Sequence, residues 1–158
     1  MDFLRQLFQS SPTLIKIGFE YIKLVIENTK ININTNTNEY IMINTMPETF
    51  QNNLIIGTLV SALEESVINR ILDQYEMKRV KVVLYGMNST DESIEKKTEQ
   101  LKTLGFSEIY IYSGGMFEWL LLQELYGPSE FPTTDKTKSV DIIKYRPKKV
   151  LNILRIGY

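Results

Sequence analysis

From about residue 40 onward, apolar positions follow two rhythms that alternate along the chain. Tyr40–Asn44 (YIMIN), residues 80–85 (VKVVLY) and Glu108–Tyr112 (EIYIY) are short, nearly unbroken apolar runs rich in β-branched and aromatic side chains, the pattern of strands buried on both faces. Between them lie longer stretches with helical spacing. Leu63, Val67, Ile68, Ile71, Leu72 and Tyr75 form one, and the segment DESIEKKTEQLKTLGF, closed by Gly105, forms another. A last helix, SGGMFEWLLLQELYG, follows the paired glycines Gly114 and Gly115. Strands that alternate with helices predict crossover connections, and therefore an α/β fold with a parallel sheet. The segment 47–60 reads as loop, with Gly57 at a point where the backbone needs freedom.

The two ends of the chain follow other patterns. Phe3, Leu4, Leu7 and Phe8 fall at helical spacing, and Ser11 before Pro12 is a helix-start signature because proline lacks the amide that would be unpaired there. A helix is predicted from Pro12 to about Asn28, with Lys16, Glu20, Lys23 and Glu27 forming one polar stripe. Its remaining surface is widely apolar, so it calls for cover on several sides: its own domain, another subunit or a membrane interface. Ile31 and Ile33 alternate with polar residues before an Asn/Thr run suited to a turn or exposed edge. After a linker-like stretch from Phe131, two apolar clusters, Ile142-Ile143 and Val150 to Ile156, flank a basic centre and are expected to lie along the domain or a partner. The predicted organisation is an N-terminal helical extension (1–30), an α/β domain (31–130) and a basic, apolar C-terminal tail (131–158). The helix Pro12–Asn28 and the tail Ser139–Tyr158 are the expected surfaces for a protein partner or self-assembly.

A chain of 158 residues buries roughly 70% of its unfolded surface, enough for one proper core. Net charge is −1, so no global field favours nucleic acid or an anionic membrane. From Lys136 onward seven basic residues face one acidic residue, which makes the tail a docking arm more readily than a nucleic-acid site. Composition narrows the chemistry further. With no Cys and no His, disulfides, thiolate or histidine metal centres, cysteine nucleophiles and Ser-His-Asp triads are all excluded. Carboxylate, lysine, tyrosine, hydroxyl and backbone chemistry remain, and no cofactor is implied. Without a secretory signal or an apolar span, an intracellular chain without a transmembrane segment is expected, and the sequon Asn88-Ser89-Thr90 is read as chance.

The turn after the second of these strands, Gly86, Met87, Asn88, Ser89, Thr90 and Asp91, is the candidate site loop. Ser89 and Glu92 have the spacing of a capping box, in which a hydroxyl and a carboxylate satisfy a helix's first amides. Asp91 adds a second negative charge to the first turn, and each carboxylate there repels an incoming anion by about 1 kcal/mol in water. The turn therefore reads as a stopped helix and not as an anion cradle. Asp91, Glu92 and Glu95 could hold a magnesium ion with waters, but at a helix start they are ordinary dipole-complementing charges.

Several segments together resemble the rhodanese-like domain, the three-layer fold of sulfurtransferases and of phosphatases acting on cell-cycle kinases. The resemblance covers about residues 38–126. YIMINTMPETF is similar to the opening strand and turn, and NLIIGTLV to the family's glycine-containing segment, keeping Gly57. VVLYG stands where the strand meets the active-site loop, LKTLGF at the close of the next helix, and IYIYSGGMFEW at the strand, double glycine and tryptophan helix, with Gly114, Gly115 and Trp119. The resemblance implies a three-layer parallel-sheet rhodanese-like domain carrying the N-terminal helical extension and C-terminal tail. It also shows what is missing: Gly86, or in a shifted register Asn88, stands where the family's cysteine would be. Asn44 stands for its early aspartate, Met46 for the basic residue that follows, and the loop has no arginine. No catalytic residue and no metal site is therefore assigned. The expected function is a non-catalytic structural or protein-interaction module. The chain is similar to rhodanese-like proteins of large DNA viruses, so a virion component is one expected setting beside the cytoplasm. The alternatives are a small-ligand or anion-binding domain, or an enzyme that uses Ser89 or Thr90 in place of the lost cysteine.

Overall fold

The computed structural model describes residues 13–32, 39–136 and 140–149. Four strands, β1 (Thr13–Ile17), β2 (Tyr40–Asn44), β3 (Lys81–Tyr85) and β4 (Glu108–Tyr112), form one parallel sheet in the order β1-β4-β3-β2. Four α-helices connect or follow them: α1 (Phe19–Asn32), α2 (Ser61–Asp73), α3 (Ser93–Thr103) and α4 (Gly115–Tyr126). Two 3-10 turns, Glu48–Phe50 and Ile142–Tyr145, complete the described elements.

Period-2 alternation sorts the strand residues cleanly onto two faces. Ile41, Ile43, Val82, Leu84 and Ile109 face α2 and α3, where Ile68, Ile71, Leu101 and Phe106 complete an almost wholly hydrocarbon layer. Tyr40, Met42, Val83, Tyr85, Tyr110 and Tyr112 face α1 and α4, where Ile22, Val25, Met116 and Trp119 close an aromatic layer. The architecture is thus three layers, helices on both sides of a parallel sheet. Gly105 ends α3 as expected: at φ +100° it lets its own amide reach Lys102 O and lets Phe106 N reach Leu101 O, the paired bonds that stop a helix.

The helix predicted from Pro12 to Asn28 is corrected at its start. Residues 13–17 form an edge strand in parallel register with β4, Thr13 beside Glu108 through Ile17 beside Tyr112. Lys16 belongs to that strand, and the helix begins only after Gly18 and runs on to Asn32, so Ile31 is helical. The cause is tertiary: β4 offers a row of outer amides and carbonyls, and a short β-branched segment satisfies them better than a first helical turn would. The rest of the polar stripe survives on α1, whose Ile22, Val25 and Ile26 are buried against the molecule's own sheet. Thr13–Ile17 and Phe19–Asn32 are therefore a strand and a covering helix of the same sheet. The predicted helix around Phe3 to Phe8, Ile33 with the following Asn/Thr run, and the cluster from Val150 lie outside the described residues.

Candidate functional site

In a parallel α/β sheet the connections leaving the carboxyl ends of two neighbouring strands can turn to opposite faces, and ligands bind in the crevice this opens. Here that point lies between β3 and β4, because α3 follows β3 onto the hydrocarbon face and α4 follows β4 onto the aromatic face. Loop 86–92 and the pair Gly114-Gly115 thus meet at one place, as the sequence loop and glycines require if they share a site. The contact is intimate. Met116 N donates to Gly86 O at 2.9 Å and Phe117 N to Met87 O at 2.8 Å, so two amides at the start of α4 are spent on the neighbouring loop. Gly115 sits at φ +66°, and a Cβ there would stand 2.7 Å from Gly86 O and 2.9 Å from Asn88 N. Only glycine permits this approach.

Within the loop, the predicted Ser89–Glu92 capping box does not form. Ser89 and Thr90 are exposed, Glu92 sits at the N-cap of α3 without a side-chain capping bond, and the helix proper starts at Ser93. Asp91 does the work instead, one residue earlier than Glu92 and facing inward. Its Oδ2 accepts from Met87 N at 2.8 Å, and its Oδ1 accepts from Ser93 N at 3.0 Å and from Ser93 Oγ at 2.7 Å. Ser93 Oγ also lies 2.7 Å from Thr45 Oγ1, tying the loop to the turn after β2. Asn88, 7% exposed, accepts through Oδ1 from Thr90 N at 3.0 Å and from Thr90 Oγ1 at 2.8 Å. Four of the loop's amides are thus met by the chain's own oxygens: Met87 N and Ser93 N by the Asp91 carboxylate, Thr90 N by Asn88 Oδ1 and Asp91 N by Asn88 O.

A Cβ placed on Gly86 would lie 2.9 Å from Asp91 Cγ, 3.0 Å from Thr45 Oγ1 and nearer still to Asp91 Oδ2. The Asp91 carboxylate therefore occupies the space a side chain at position 86 would need. Among the described residues no group of three or more acidic side chains is arranged to hold a metal ion.

The crevice has a second wall that sequence reasoning missed. The tail returns as the turn Ile142–Tyr145, capped by Asp141 through a bond from Ile143 N. Asn88 Nδ2 donates to Tyr145 O at 2.9 Å and to Arg146 O at 3.1 Å, clamping two successive carbonyls. The Tyr145 ring is fully buried, edge-on to Phe50 at 5.5 Å. Burial pushes its phenol above the ordinary value, with Asp135 and Asp141 adding to the shift. Of the apolar pair Ile142-Ile143, expected to lie along the domain or a partner, Ile142 packs against the aromatic layer and Ile143 is exposed, while the neighbouring Tyr145 is the fully buried anchor.

The remaining marked residues support the crevice from beneath. Gly57, at φ +86°, lies in a turn held by Tyr85: Tyr85 Oη accepts from Ile55 N at 3.2 Å and lies 2.8 Å from Thr58 Oγ1. Burial raises the Tyr85 phenol strongly. Tyr112 Oη donates to Glu118 Oε1 at 2.8 Å, and burial followed by that carboxylate raises its phenol too. Trp119 is completely buried, stacked edge-on against Tyr112 and Phe131, with Nε1 donating to Pro132 O at 3.2 Å. It anchors the core and has no face left for a ligand. Asn44, at the end of β2, accepts from Met46 N at 3.1 Å and shapes that turn. Elsewhere, a cleft of about 480 Å³ between α2 and α3 is lined by Glu64, Ile68, Leu72, Lys97 and Leu104 and bridged by the Lys97–Glu64 ion pair. No helix among the described residues is long and apolar enough to cross a membrane.

No protein-family model matches the chain, and no curated protein matches it. Solved structures do. The crystal structure of a rhodanese-like domain from an Anabaena sp. protein is similar at 20% identity over 60% of this chain and 97% of that one, with a TM-score of 0.43. The solution structure of a rhodanese-like domain from the same Anabaena protein is similar at 17% identity over 80% and 88%, TM-score 0.45. A Bacillus halodurans protein is similar at 15% identity over 77% and 78%, TM-score 0.43.

Proposed function

We propose that this chain is a rhodanese-like domain without a nucleophile, serving as a structural or protein-interaction module, with a larger assembly such as a virion as its setting. One observation carries the reading: the Asp91 carboxylate fills the space beside Gly86, where the family's sulfur would stand, and engages Met87 N and Ser93 N itself. A thiosulfate or phosphate arriving there would meet a like charge worth about 1 kcal/mol of repulsion in water and about 4 kcal/mol at the dielectric of a protein surface. It would also have to displace amide bonds already made. Ser89 and Thr90, the hydroxyls that could substitute for a thiol, are exposed and have no base beside them in the described contacts. What remains useful in such a crevice is shape and hydrogen-bonding surface, which suits binding.

The test is turnover by the purified full chain with thiosulfate and cyanide, and separately with an aryl phosphate. No rate above the protein-free reaction is expected, and Gly86→Cys alone is expected to gain none because Asp91 still fills the loop. Turnover by the unaltered chain that Ser89→Ala abolishes would replace this reading with an enzymatic one.

A further inference from the structure

The segment that covers the crevice is held in an unusual way for part of a core. Within residues 140–149, Tyr145 is buried and Val140 and Ile142 are partly buried against the aromatic layer, while Asp141, Ile143, Lys144, Arg146, Lys148 and Lys149 are exposed. The segment's grip on loop 86–92 is main-chain in character, Asn88 Nδ2 on the carbonyls of Tyr145 and Arg146. One ring in a slot and a bidentate amide on two carbonyls hold this short turn as a domain holds a peptide, with the main chain giving affinity and one pocket giving specificity. The anchor fits its slot incompletely, since Tyr145 Oη is buried with no hydrogen-bond partner among the described residues. Such a group weakens the hold. The crevice is also where parallel α/β sheets take their ligands.

We infer that the crevice between β3 and β4 is a binding site for a tyrosine-anchored peptide, occupied in cis by residues 141–146 of the same chain. Asn88 reads the peptide's main chain, Phe50 forms one wall of the tyrosine slot, and the Lys144 ammonium lies over that wall, 5.4 Å from the Phe50 ring centre. The tether keeps the tail at high effective concentration, so an outside peptide of the same chemistry competes only when the tail is released or its anchor removed. The inference names the ligand of the interaction module proposed above and rests on that reading's crevice without chemistry of its own. A positive turnover assay would remove the module and leave a peptide-binding result standing, so the two fail separately.

Two forms of the full chain test it. In the first, Tyr145→Ala empties the slot. In the second, a protease site replaces residues 137–139 and is cut after folding, so that nothing but the site's own contacts holds the tail. The probe is a fluorescent synthetic peptide of residues 140–158, read by anisotropy. Saturable binding to both forms is expected, with the uncut wild-type chain binding at least about tenfold more weakly because its tethered copy competes. A peptide carrying Ala at position 145 should bind neither form, and Asn88→Ala in the cut chain should weaken binding. The inference is overturned if the cut chain unfolds, which would make the segment part of the core. It is equally overturned if neither form takes up the peptide, or if the Ala peptide binds as well as the original.

Discussion

The two faces of the sheet are built to different rules. On the α2–α3 side, Ile41, Ile43, Val82, Leu84, Leu101, Ile109 and Phe106 make a layer whose cohesion depends on apolar area alone. On the α1–α4 side four strand positions are tyrosines, and three of their hydroxyls reach for something specific: Tyr85 holds the Gly57 turn, Tyr112 holds Glu118 at the start of α4, and Tyr40 meets Tyr21 on α1 at 3.0 Å. The first face is a floor and the second a frame that positions loops. A hydrocarbon layer loses stability in proportion to the volume removed, whereas a tyrosine frame loses it one polar partner at a time.

The largest expected effect lies on the hydrocarbon face. Phe106→Ala removes a fully buried ring and should cost about 3–5 kcal/mol. Tyr85→Phe keeps the ring but deprives the buried Ile55 amide of its acceptor, so it should cost about 1–3 kcal/mol, with Thr58 retaining its bond to Ile55 O. Urea unfolding of both variants compares the two rules directly. A loss for Tyr85→Phe as large as that for Phe106→Ala would mean that one hydroxyl is worth a whole buried ring, and no loss at all would mean that its polar partners contribute nothing; either result would break the contrast between the faces.

The faces should also part company in alkaline solution. Burial raises Tyr21, Tyr85, Tyr112 and Tyr145 above their ordinary value, and it pushes Tyr110 up to about 12. For each, the folded chain keeps the proton after the unfolded chain has lost it. Their contribution is therefore fully present below the ordinary tyrosine value of 10.0 and declines as pH rises from there through about 12. Tyrosinate absorbance should lag behind that of free tyrosine and then rise together with the loss of helical circular dichroism. Full tyrosine ionisation in a chain still folded would contradict it.

How much of this was legible in the sequence depended on how local each cause was. β2, β3 and β4 were readable because a strand buried on both faces carries its own signature, and Gly105 was readable because a helix stop is a matter of one residue and its neighbours. Thr13–Ile17 was not, because its state is decided by the open edge of β4, about 95 residues later in the chain, and its own charges also fit a helix. In the loop, the capping-box spacing of Ser89 and Glu92 was a real local signal, yet Asp91 prevailed because the fold brings Thr45 and Ser93 to its other side. Tyr145 lies 57 residues from the side chain that clamps its carbonyl, and no periodicity reports such a contact. The glycines told the fold, and the aspartate that organises the loop had looked like one more helix-start charge.

The smallest effect is the most discriminating, because it repeats one substitution with the opposite sign. Tyr85→Phe and Tyr145→Phe each delete a single buried hydroxyl from the aromatic side of the molecule. Tyr85 Oη has Ile55 N and Thr58 Oγ1 as partners, whereas Tyr145 Oη has none among the described residues while its ring is equally inaccessible. Removing a satisfied hydroxyl orphans its partners, but removing an unsatisfied one relieves a desolvation cost. Tyr145→Phe should therefore leave stability unchanged or raise it by up to about 1 kcal/mol, and it should hold the tail more firmly over Asn88. Thermal unfolding measures the first effect, and amide exchange at residues 141–146 measures the second. If Tyr145→Phe destabilises the chain as Tyr85→Phe does, the Tyr145 hydroxyl has a partner in solution and belongs to the frame.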